Sequence, residues 1–470
     1  MIKIMRWQPA AVCHSNHLAR AMAVGMFLAV LLASPGPPAV AGDLQIATFE
    51  FDASPPIGGP LAYDPCVAIT DPLSLRGVIF IGAGEPIVLA VVDWLGVAND
   101  AHQAWRKQLA AAVGTRPQRV ALHAVHQHDA PRCDLSAASL LAQYAPQDQP
   151  YDVPWIRDVI AKSSIAARES LSQARPVNGV AMAAAEVREV ASNRRLLGPD
   201  GRVAATRYTA CADPKLRALP TGTVDPLLRT LAFYQDQEPV VVLTYFATHP
   251  QSYYRTGEAN PDFVGYARNA RQATTGIPHL HFNGAGGNVG AGKWNDGNRQ
   301  NRQVLADKVT AAMQAGFSEL QPQLLTADDI GWRSISVALP PGEHLDEEQL
   351  VGTLTAADSN PTERLTAAKH LAWLRRTRAG EEIDLQCLRV GRARVLHMPG
   401  ELFVEYQLQA AAMRPDLFVA MAAYGEYGPG YIGTQVAYAQ GGYETSGRAS
   451  RVGAGSEAVL VEAIGELLRD

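Results

Sequence analysis

Apolar and polar residues follow two distinct patterns along the chain after Asp43. Short and almost wholly apolar runs predict strands that are covered on both faces. These runs are Val78–Ile81, Ile87–Val92, Val120–Val125, Val240–Phe246 and His279–Phe282. Longer runs with apolar residues at helical spacing predict helices at Asp100–Val113, Val153–Ala174, Asn298–Ala315, Glu347–Ala357, Pro361–Ala379 and Glu457–Leu468. The mixture predicts an α/β protein in which helices cover mixed β-sheets.

The segment 340–380 differs from the chain around it, because it is charged and mostly helical in pattern. It follows the alternating stretch Trp332–Leu339 and precedes two predicted strands, Ile383–Val390 and Ala393–Met398. We therefore predict that residues 42–470 form one domain and that 340–380 is a helical surface insertion within it. The pattern does not indicate what the insertion does.

The first 41 residues have the order of a secretory signal. Lys3, Arg6 and Arg20 are basic, no acid is present, and an apolar run from Ala21 to Ala33 precedes small residues ending at Ala41. A signal peptide cut after Ala41 explains this order. The alternative is a membrane anchor, but the run is shorter than the roughly 20 residues that span a bilayer. We expect an exported protein, periplasmic or secreted, with no stable membrane span.

Charge and cysteine content limit the partners and the compartment. After residue 41 the chain keeps 38 of its 41 Lys and Arg residues and all 46 Asp and Glu residues, a net charge of −8. Nucleic acid is therefore not expected as a partner, because phosphate binding needs a basic surface. An oxidising compartment permits up to two disulfides in three possible pairings among Cys66, Cys133, Cys211 and Cys387.

Candidate metal ligands stand where three predicted strands end. Val120–Val125 runs into His126 and His128, which leave the strand on the same side of the chain. Other strand ends deliver His249 and Glu401. Two His and one carboxylate form a catalytic zinc set that leaves a position open for water. Spacing alone does not show that they converge, since ordinary loops also gather at strand ends.

A glycine-rich segment follows the predicted strand His279–Phe282. Residues 287–293 fit G-x-x-x-x-G-K, but Trp294 stands where a phosphate loop needs Ser or Thr, so we expect no nucleotide. The glycines instead predict close approach of backbone to a site. Polar residues of this segment that could line the site are Asn288, Lys293, Asn295 and Asp296; a plain loop is the alternative.

Five tyrosines crowd into twenty residues near the C-terminus, among several glycines. They are Tyr424, Tyr427, Tyr431, Tyr438 and Tyr443. Such a cluster either binds a ligand or packs with its hydroxyl groups satisfied. The cluster alone does not decide between these roles.

Taken in order, these segments resemble the neutral (non-lysosomal) ceramidase family in its N-terminal catalytic domain, from about Ile46 to Glu457. The residues that carry the resemblance are Asp52–Gly58 for D-x-T-P-P-x-G, Val125–His128 for T-H-T-H, Phe246–Pro250 for F-A-x-H-P, Pro399–Glu401 for P-G-E, Gly430–Tyr438 for G-Y-I-T-T-x-E-E-Y, Tyr443-Glu444 for Y-E-G, and Asn193-Arg194 for an N-R pair. Their order is more specific than any one of them.

The resemblance implies a neutral-ceramidase-like α/β domain, without the family's immunoglobulin-like C-terminal domain. It implies zinc bound by His126, His249, Glu401 and Tyr438. His128 and Arg194 are then the catalytic candidates, the first for proton transfer or for holding the intermediate, the second for oxyanion stabilisation. Tyr431 and Tyr443 join the candidates for substrate binding.

The chain departs from the family in the glycine-rich segment. Residues 287–292 replace G-D-V-S-P-N, so the Asp and the Ser are absent. We therefore predict an exported zinc hydrolase that cleaves an N-acyl amide, small or lipid-like, and that prefers a more polar substrate than ceramide. The alternatives are a zinc esterase, lactonase or phosphohydrolase on the same site, or an exported binding protein without turnover.

Overall fold

The computed structural model describes residues 43–469, and the predicted signal peptide at residues 1–41 lies outside them. The strands up to residue 206 are β1 (Gln45–Asp52), β2 (Ala68–Ile69), β3 (Ser74–Gly82), β4 (Gly84–Val92), β5 (Gly96–Ala98), β6 (Val120–Ala124), β7 (Arg132–Asp134), β8 (Arg175–Pro176), β9 (Gly179–Glu186), β10 (Ser192–Asn193), β11 (Arg195–Leu197) and β12 (Val203–Thr206). The later strands are β13 (Leu227–Gln235), β14 (Glu238–Phe246), β15 (Glu258–Ala259), β16 (His279–Asn283), β17 (Val289–Gly290), β18 (Gln323–Leu324), β19 (Ile330–Val337), β20 (Ile383–Val390), β21 (Ala393–His397), β22 (Glu401–Leu402), β23 (Phe418–Ala422) and β24 (Tyr431–Ile432).

Helices alternate with these strands. They are α1 (Asn99–Val113), α2 (Leu135–Tyr144), α3 (Val153–Ser170), α4 (Pro214–Ala218), α5 (Asp262–Thr275), α6 (Asn301–Ser318), α7 (Glu347–Thr355), α8 (Pro361–Arg378), α9 (Val404–Met413), α10 (Gln435–Gln440) and α11 (Ser456–Leu467). Within residues 43–469, no helix has both the length and the apolar character needed to cross a membrane.

Three sheets carry most of the strand residues. The first has the order β6-β4-β3-β1-β8, the second β16-β14-β13-β9-β18 and the third β19-β20-β21-β23. In each sheet one edge strand pairs in parallel, β6 with β4, β16 with β14 and β23 with β21, and the remaining pairs are antiparallel. The prediction of an α/β fold with mixed sheets is confirmed.

The continuous apolar runs are explained by sheets that are covered on both faces. Val78 and Phe80 of β3 lie in a core shared with Phe233 of β13, and the rings of Phe80 and Phe233 are 5.1 Å apart. Ile79, which points the other way, lies in a second core with Trp105 of α1. Because successive side chains of a strand point to opposite faces, both sets of positions must be apolar.

The charged segment 340–380 folds into α7 and α8, which pack against each other. Helix α8 also packs against α2 and buries Trp373 completely. The helices agree with the sequence pattern, but α8 is built into the fold more deeply than a surface insertion would be.

The four cysteines after residue 41 are free and buried in the structure. Burial raises the pKa of the Cys387 thiol to about 12. None of the disulfide pairings left open by the sequence is present among residues 43–469.

Candidate metal centre

Three buried strands deliver polar side chains to one place, because the parallel edges of the three sheets meet. Strand β16 of the second sheet contacts β6 of the first and β23 of the third. His126 follows β6, His249 follows β14 and Glu401 follows β21. All three side chains are buried. We call these three residues the strand-end cluster.

The reactive atoms of the strand-end cluster face one another. His126 Nε2 lies 3.2 Å and His249 Nε2 lies 3.1 Å from the same carboxylate oxygen, Oε2 of Glu401. Burial alone would raise the pKa of Glu401, but the neighbouring His126 and His249 hold it well below its usual value. The carboxylate is therefore ionised, as a metal ligand must be.

Hydrogen bonds at Nδ1 of the His126 and His249 rings determine which ring nitrogen can bind a metal. His126 Nδ1 lies 2.7 Å from the carbonyl oxygen of Leu95, and His249 Nδ1 lies 2.7 Å from that of Gly286. A carbonyl oxygen only accepts, so each Nδ1 carries the hydrogen and each Nε2 of a neutral ring presents a lone pair. Burial lowers the pKa of His249 to about 4, which keeps that ring neutral.

Two imidazole Nε2 atoms and a carboxylate oxygen thus face one small space. The set of two imidazoles and one carboxylate is typical of catalytic zinc, which takes the place of any hydrogen between them. The backbone carbonyls behind the rings fix their orientation, as in many zinc sites. The residues present therefore fit the zinc ion that the sequence predicts.

Tyr431 is one of three tyrosines that the structure brings to the cluster, whereas the predicted ligand Tyr438 has a different partner. Strand β22 pairs in parallel with β24, with Glu401 beside Tyr431 in the register, so their side chains share a side. The Tyr431 hydroxyl lies 3.1 Å from His249 Nε2. Tyr438 lies on α10 instead, and its hydroxyl is 2.8 Å from Ser450 Oγ.

Two more of the clustered tyrosines support the site. The Tyr427 hydroxyl donates to Oε1 of Glu401, and the Tyr424 ring stacks on His126 with centroids 4.6 Å apart. Both His126 and Tyr424 have a left-handed backbone, with φ of 73° and 60°. This conformation costs about 1–2 kcal/mol per residue, and such strain is often concentrated at functional sites.

His128 stands between the cluster and open space. Its Nε2 lies 3.2 Å from His126 Nε2, and its Nδ1 lies 3.3 Å from the Tyr63 hydroxyl. Burial, reinforced by His126 and His249, lowers the pKa of His128 well below its usual value. His126, His128 and His249 also form a group whose ligand atoms lie within 4.8 Å of one another. A second set of three metal ligands is therefore possible geometrically.

Arg194 lies behind the cluster and does not reach the cavity beside it. Its Nη1 is 3.0 Å from His249 Nε2 and 3.2 Å from the Tyr431 hydroxyl, and its Nε is 3.4 Å from Glu444. Burial opposes the charged form, but Tyr431 and Glu444 raise the pKa of Arg194 above its usual value. The predicted role at an oxyanion does not fit this position. Burial raises the pKa of Tyr431 well above its usual value, and the Arg194 guanidinium offsets part of that rise.

A cavity of about 670 Å³ opens beside the strand-end cluster. This size suits a small organic ligand, since such sites measure about 300–1,000 Å³. Its wall contains His126, His128, Glu401, Tyr431 and Tyr443. The two tyrosines predicted to bind substrate are therefore at the cavity.

The four polar residues predicted from the glycine-rich segment are absent from the cavity wall among the described residues. Asn288 donates to Glu405 at 2.8 Å and accepts from the backbone of Val404 at 2.9 Å. The Lys293 amine donates to the carbonyl oxygens of Arg217 and Leu219, at 2.9 and 2.6 Å. These side chains hold neighbouring backbone in place.

The other two residues of that segment also serve the local backbone. The Asn295 amide is buried and donates to the carbonyl oxygens of Thr209, at 2.9 Å, and Ser252. Asp296 is exposed and accepts from the backbone of Asn298 at 3.0 Å. The prediction that the segment lines the substrate site with polar groups is corrected accordingly.

The glycines of the segment do allow a close approach, as the sequence indicates. A Cβ on Gly287 would lie 2.2 Å from the carbonyl oxygen of Glu401, and one on Gly286 would lie 2.7 Å from the backbone of Thr248. Both distances are too short for any side chain. Glycine is therefore needed where this loop touches the backbone that carries Glu401 and His249.

Sequence reasoning missed one part of the cavity altogether. Five residues of α8 belong to its wall: Pro361, Thr362, Leu365, Thr366 and Lys369. Tyr63, which contacts His128, was missed as well. No local pattern marks these residues, because only the packing of α8 and of the loop before β2 brings them to the site.

Comparison with known proteins supports this architecture. No protein-family model and no curated protein sequence matches the chain. Among solved structures, a ceramidase complexed with C2 has a TM-score of 0.65, and a neutral ceramidase from Pseudomonas aeruginosa has 0.66. Each is 15% identical, with 90% of this chain and 74% of the other chain covered. The protein therefore has the fold of the neutral ceramidases.

Proposed function

We propose that this protein is a zinc-dependent hydrolase that cleaves an N-acyl amide bond. The observation that carries the proposal is that His126 Nε2 and His249 Nε2 each lie within 3.2 Å of Glu401 Oε2 beside a cavity. The likeness in fold to ceramidases, at 15% identity, supports amide hydrolysis as the first activity to test.

Zinc would be held by His126, His249, Glu401 and Tyr431. When bound, the ion lowers the pKa of water and polarises a carbonyl oxygen. The Arg194 guanidinium lies 3.2 Å from the Tyr431 hydroxyl and would stabilise that oxygen as a ligand when the ion is bound. Tyr427 holds the second oxygen of Glu401 and so fixes the plane of the carboxylate.

His128 is the candidate for proton transfer. His128 borders the cavity, so a substrate can reach it. Its ring contacts His126, whereas His126 and His249 contact the Glu401 carboxylate. The Tyr63 hydroxyl at its Nδ1 orients the ring. A neutral imidazole in this position can take a proton and deliver it to the departing amine.

The test is turnover by the purified, zinc-loaded chain on matched chromogenic amide, ester and phosphate substrates. We expect the amide to be hydrolysed and chelation to abolish the rate, with recovery on adding zinc. Faster turnover of the ester or the phosphate would replace amide hydrolysis by that reaction. Full zinc occupancy without any turnover would favour a binding protein.

We further propose that the protein is exported and cleaved after Ala41, on the order of basic, apolar and small residues in the first 41 positions. Expression of the full chain followed by N-terminal sequencing checks this. A mature protein that begins at Gly42 in the exported fraction is expected, and retention of the intact N-terminus inside the cell would contradict it.

A further inference from the structure

Positive side chains gather on the cavity wall next to the strand-end cluster. Five cationic residues line the cavity, and they come from separate parts of the chain: Arg132, Arg255, Lys369, Arg448 and Arg451. Arg132 belongs to β7 and Lys369 to α8, whereas Arg448 and Arg451 belong to the loop between α10 and α11. We call Arg132, Lys369, Arg448 and Arg451 the cationic wall.

The cationic wall lacks partners for much of its hydrogen-bonding capacity. Among residues 43–469, the Lys369 amine and the Arg448 guanidinium make no hydrogen bond or ion pair, and the buried Nε atoms of Arg132 and Arg451 have no partner. Arg451 donates through Nη1 only to backbone carbonyls, such as that of Gly428 at 2.7 Å. Buried donors without acceptors are costly, and an anion would supply the acceptors.

Acidic residues of the same cavity balance these charges only in part, and Asp134 is the one that acts on both Arg451 and Lys369. Asp134 accepts from the Asn99 amide and from the backbone of Ala137, each at 3.0 Å, and burial raises its pKa to about 6. Asp148 is paired with Arg364. Asp64 is left as the one further acid of the wall outside the strand-end cluster in the described chain.

Lys369 lies where positive charge on the cavity wall is most crowded. Burial lowers the pKa of its amine well below the usual value, and Arg451 and Arg132 lower it further. Crowding of like charges is relieved when an anion binds among them. An ammonium and two guanidinium groups are also the donors that proteins use to bind carboxylate and phosphate.

The cationic wall is close to the proposed reaction site. Arg451 Nη1 lies 3.4 Å from the backbone carbonyl of Tyr427, whose hydroxyl donates to Glu401. Glu401 also acts electrostatically on Lys369. Glu401 and the cationic wall line the same cavity, so an amide whose carbonyl lies at the strand-end cluster would extend through that cavity towards the cationic wall.

We propose that the substrate of this site is an N-acyl amide whose amine part carries an anionic group, a carboxylate or a phosphate, bound by Lys369, Arg451, Arg132 and Arg448. This rests on the proposed amide hydrolysis. It also gives a role to α8, because Lys369 is the residue through which that helix would select substrate.

The test compares amides with the same hexanoyl chain on zinc-loaded protein. N-hexanoylglycine carries a carboxylate, N-hexanoylglycinamide is its neutral match, and N-hexanoylphosphoethanolamine carries a phosphate. We expect kcat/KM for one or both anionic amides to exceed that for the neutral amide by about tenfold or more, a ratio typical of one charged hydrogen bond. The larger anionic rate identifies the preferred group.

The ratio of anionic to neutral rates should fall about tenfold in Lys369→Met, with Arg448→Met as a second variant on an exposed side chain. Arg378→Met is the matched control, because Arg378 lies on the same helix but is exposed and paired with Glu347. It should leave the ratio unchanged. A ratio near one in the wild type, or one that neither Lys369→Met nor Arg448→Met changes, would overturn the inference.

Calorimetric binding separates this inference from the proposed function. If the zinc-loaded chain hydrolyses none of the amides but binds N-hexanoylglycine or its phosphate counterpart more tightly than the glycinamide, and Lys369→Met removes the preference, the anion site stands and amide hydrolysis fails. If all the amides are hydrolysed with equal efficiency, amide hydrolysis stands and the anion site fails.

Discussion

The strand-end cluster and the glycine-rich segment 284–297 both follow strands of the second sheet or its neighbours, and both carry conspicuous polar residues. Their polar side chains have different partners. In the cluster, Nε2 atoms of two rings face a carboxylate oxygen within 3.2 Å, so the groups compete for one space. In the segment, Lys293 and Asn295 donate to backbone carbonyls.

The difference teaches that polar residues at a strand end indicate a functional site only when their hydrogen-bond partners are known. A polar group whose bonds are satisfied by backbone stabilises the fold. Imidazole and carboxylate groups that face one another without backbone partners form a set of ligands for a metal ion.

The largest effect is expected from removing one member of the cluster. His126→Ala should lose zinc, with affinity reduced by a factor of about a thousand or more, since four protein ligands become three. Elemental analysis after dialysis measures it. His281→Gln is the matched control, because His281 is a buried histidine of the adjoining strand β16 outside the cluster. Equal zinc loss in both variants would mean that His126 has no special role.

His128→Ala tests whether His128 binds the metal or only transfers a proton. We expect it to keep zinc and to lose about 100-fold or more in kcat, because proton transfer contributes about that much. Zinc content and turnover are measured on the same sample. Loss of zinc to the level of His126→Ala would instead assign the metal to the group of three histidines.

Tyr431→Phe and Tyr438→Phe form a matched pair, each removing one hydroxyl. Tyr431→Phe should weaken zinc binding by about tenfold or more, within the range for groups that contact or orient metal ligands. Tyr438→Phe should change it by less than about twofold, because its hydroxyl contacts Ser450. A competition titration with a zinc chelator gives both affinities. A larger loss of zinc affinity in Tyr438→Phe than in Tyr431→Phe would restore Tyr438 as the ligand, as the resemblance implies.

Acid should destabilise the metal-free fold through buried neutral histidines outside the cluster. Burial lowers the pKa of His102, His279 and His281 to about 4 each, against about 6.5 when unfolded. Their stabilising effect is full above pH 6.5 and is lost as the pH falls towards 4. Each ring should lower the free energy of unfolding by about 1.4 kcal/mol per pH unit in this window.

Urea unfolding at pH 7, 6 and 5 measures that dependence on metal-free protein. His281→Gln should reduce the slope between pH 6 and 5 by about one proton, because one titrating ring is gone. An unchanged slope would show that His281 takes up its proton equally in both states.

The smallest effect on activity is expected in the glycine-rich segment. Lys293→Met should change kcat/KM by less than about twofold, although loss of its two hydrogen bonds should cost about 1–2 kcal/mol of stability. Rates with the amides described above and urea midpoints give both numbers. A selective loss with anionic amides would return this segment to the substrate site.

Much of the fold follows from local pattern. Strand β20 has the predicted bounds, and α1 begins one residue before its predicted start, because their apolar positions repeat with a clear period. Helix α5 was not predicted. Its buried face carries Arg268, which pairs with Asp93 at 2.6 Å, so a charge stands where the pattern expects an apolar residue.

The candidate site was predictable only where long strands end in it. His126, His249 and Glu401 follow apolar strands, and their convergence depends on contacts of the edge strand β16 with β6 and β23 of the other two sheets. Tyr431 enters through β24, a strand of two residues that pairs with another of two residues thirty positions earlier. Strands of two residues are too short to show an alternating apolar pattern in the sequence. Residues of the cavity wall, such as Lys369, depend on tertiary packing alone.

Pairing of Glu401 with Tyr431 also sets when the site can exist during synthesis. His126 and His249 emerge early, but the ribbon that carries Glu401 closes only after the chain past Tyr431 has left the ribosome. A nascent or truncated chain therefore lacks the complete strand-end cluster. Under the proposed function, metal binding follows the formation of the β22–β24 ribbon and is a late event in folding.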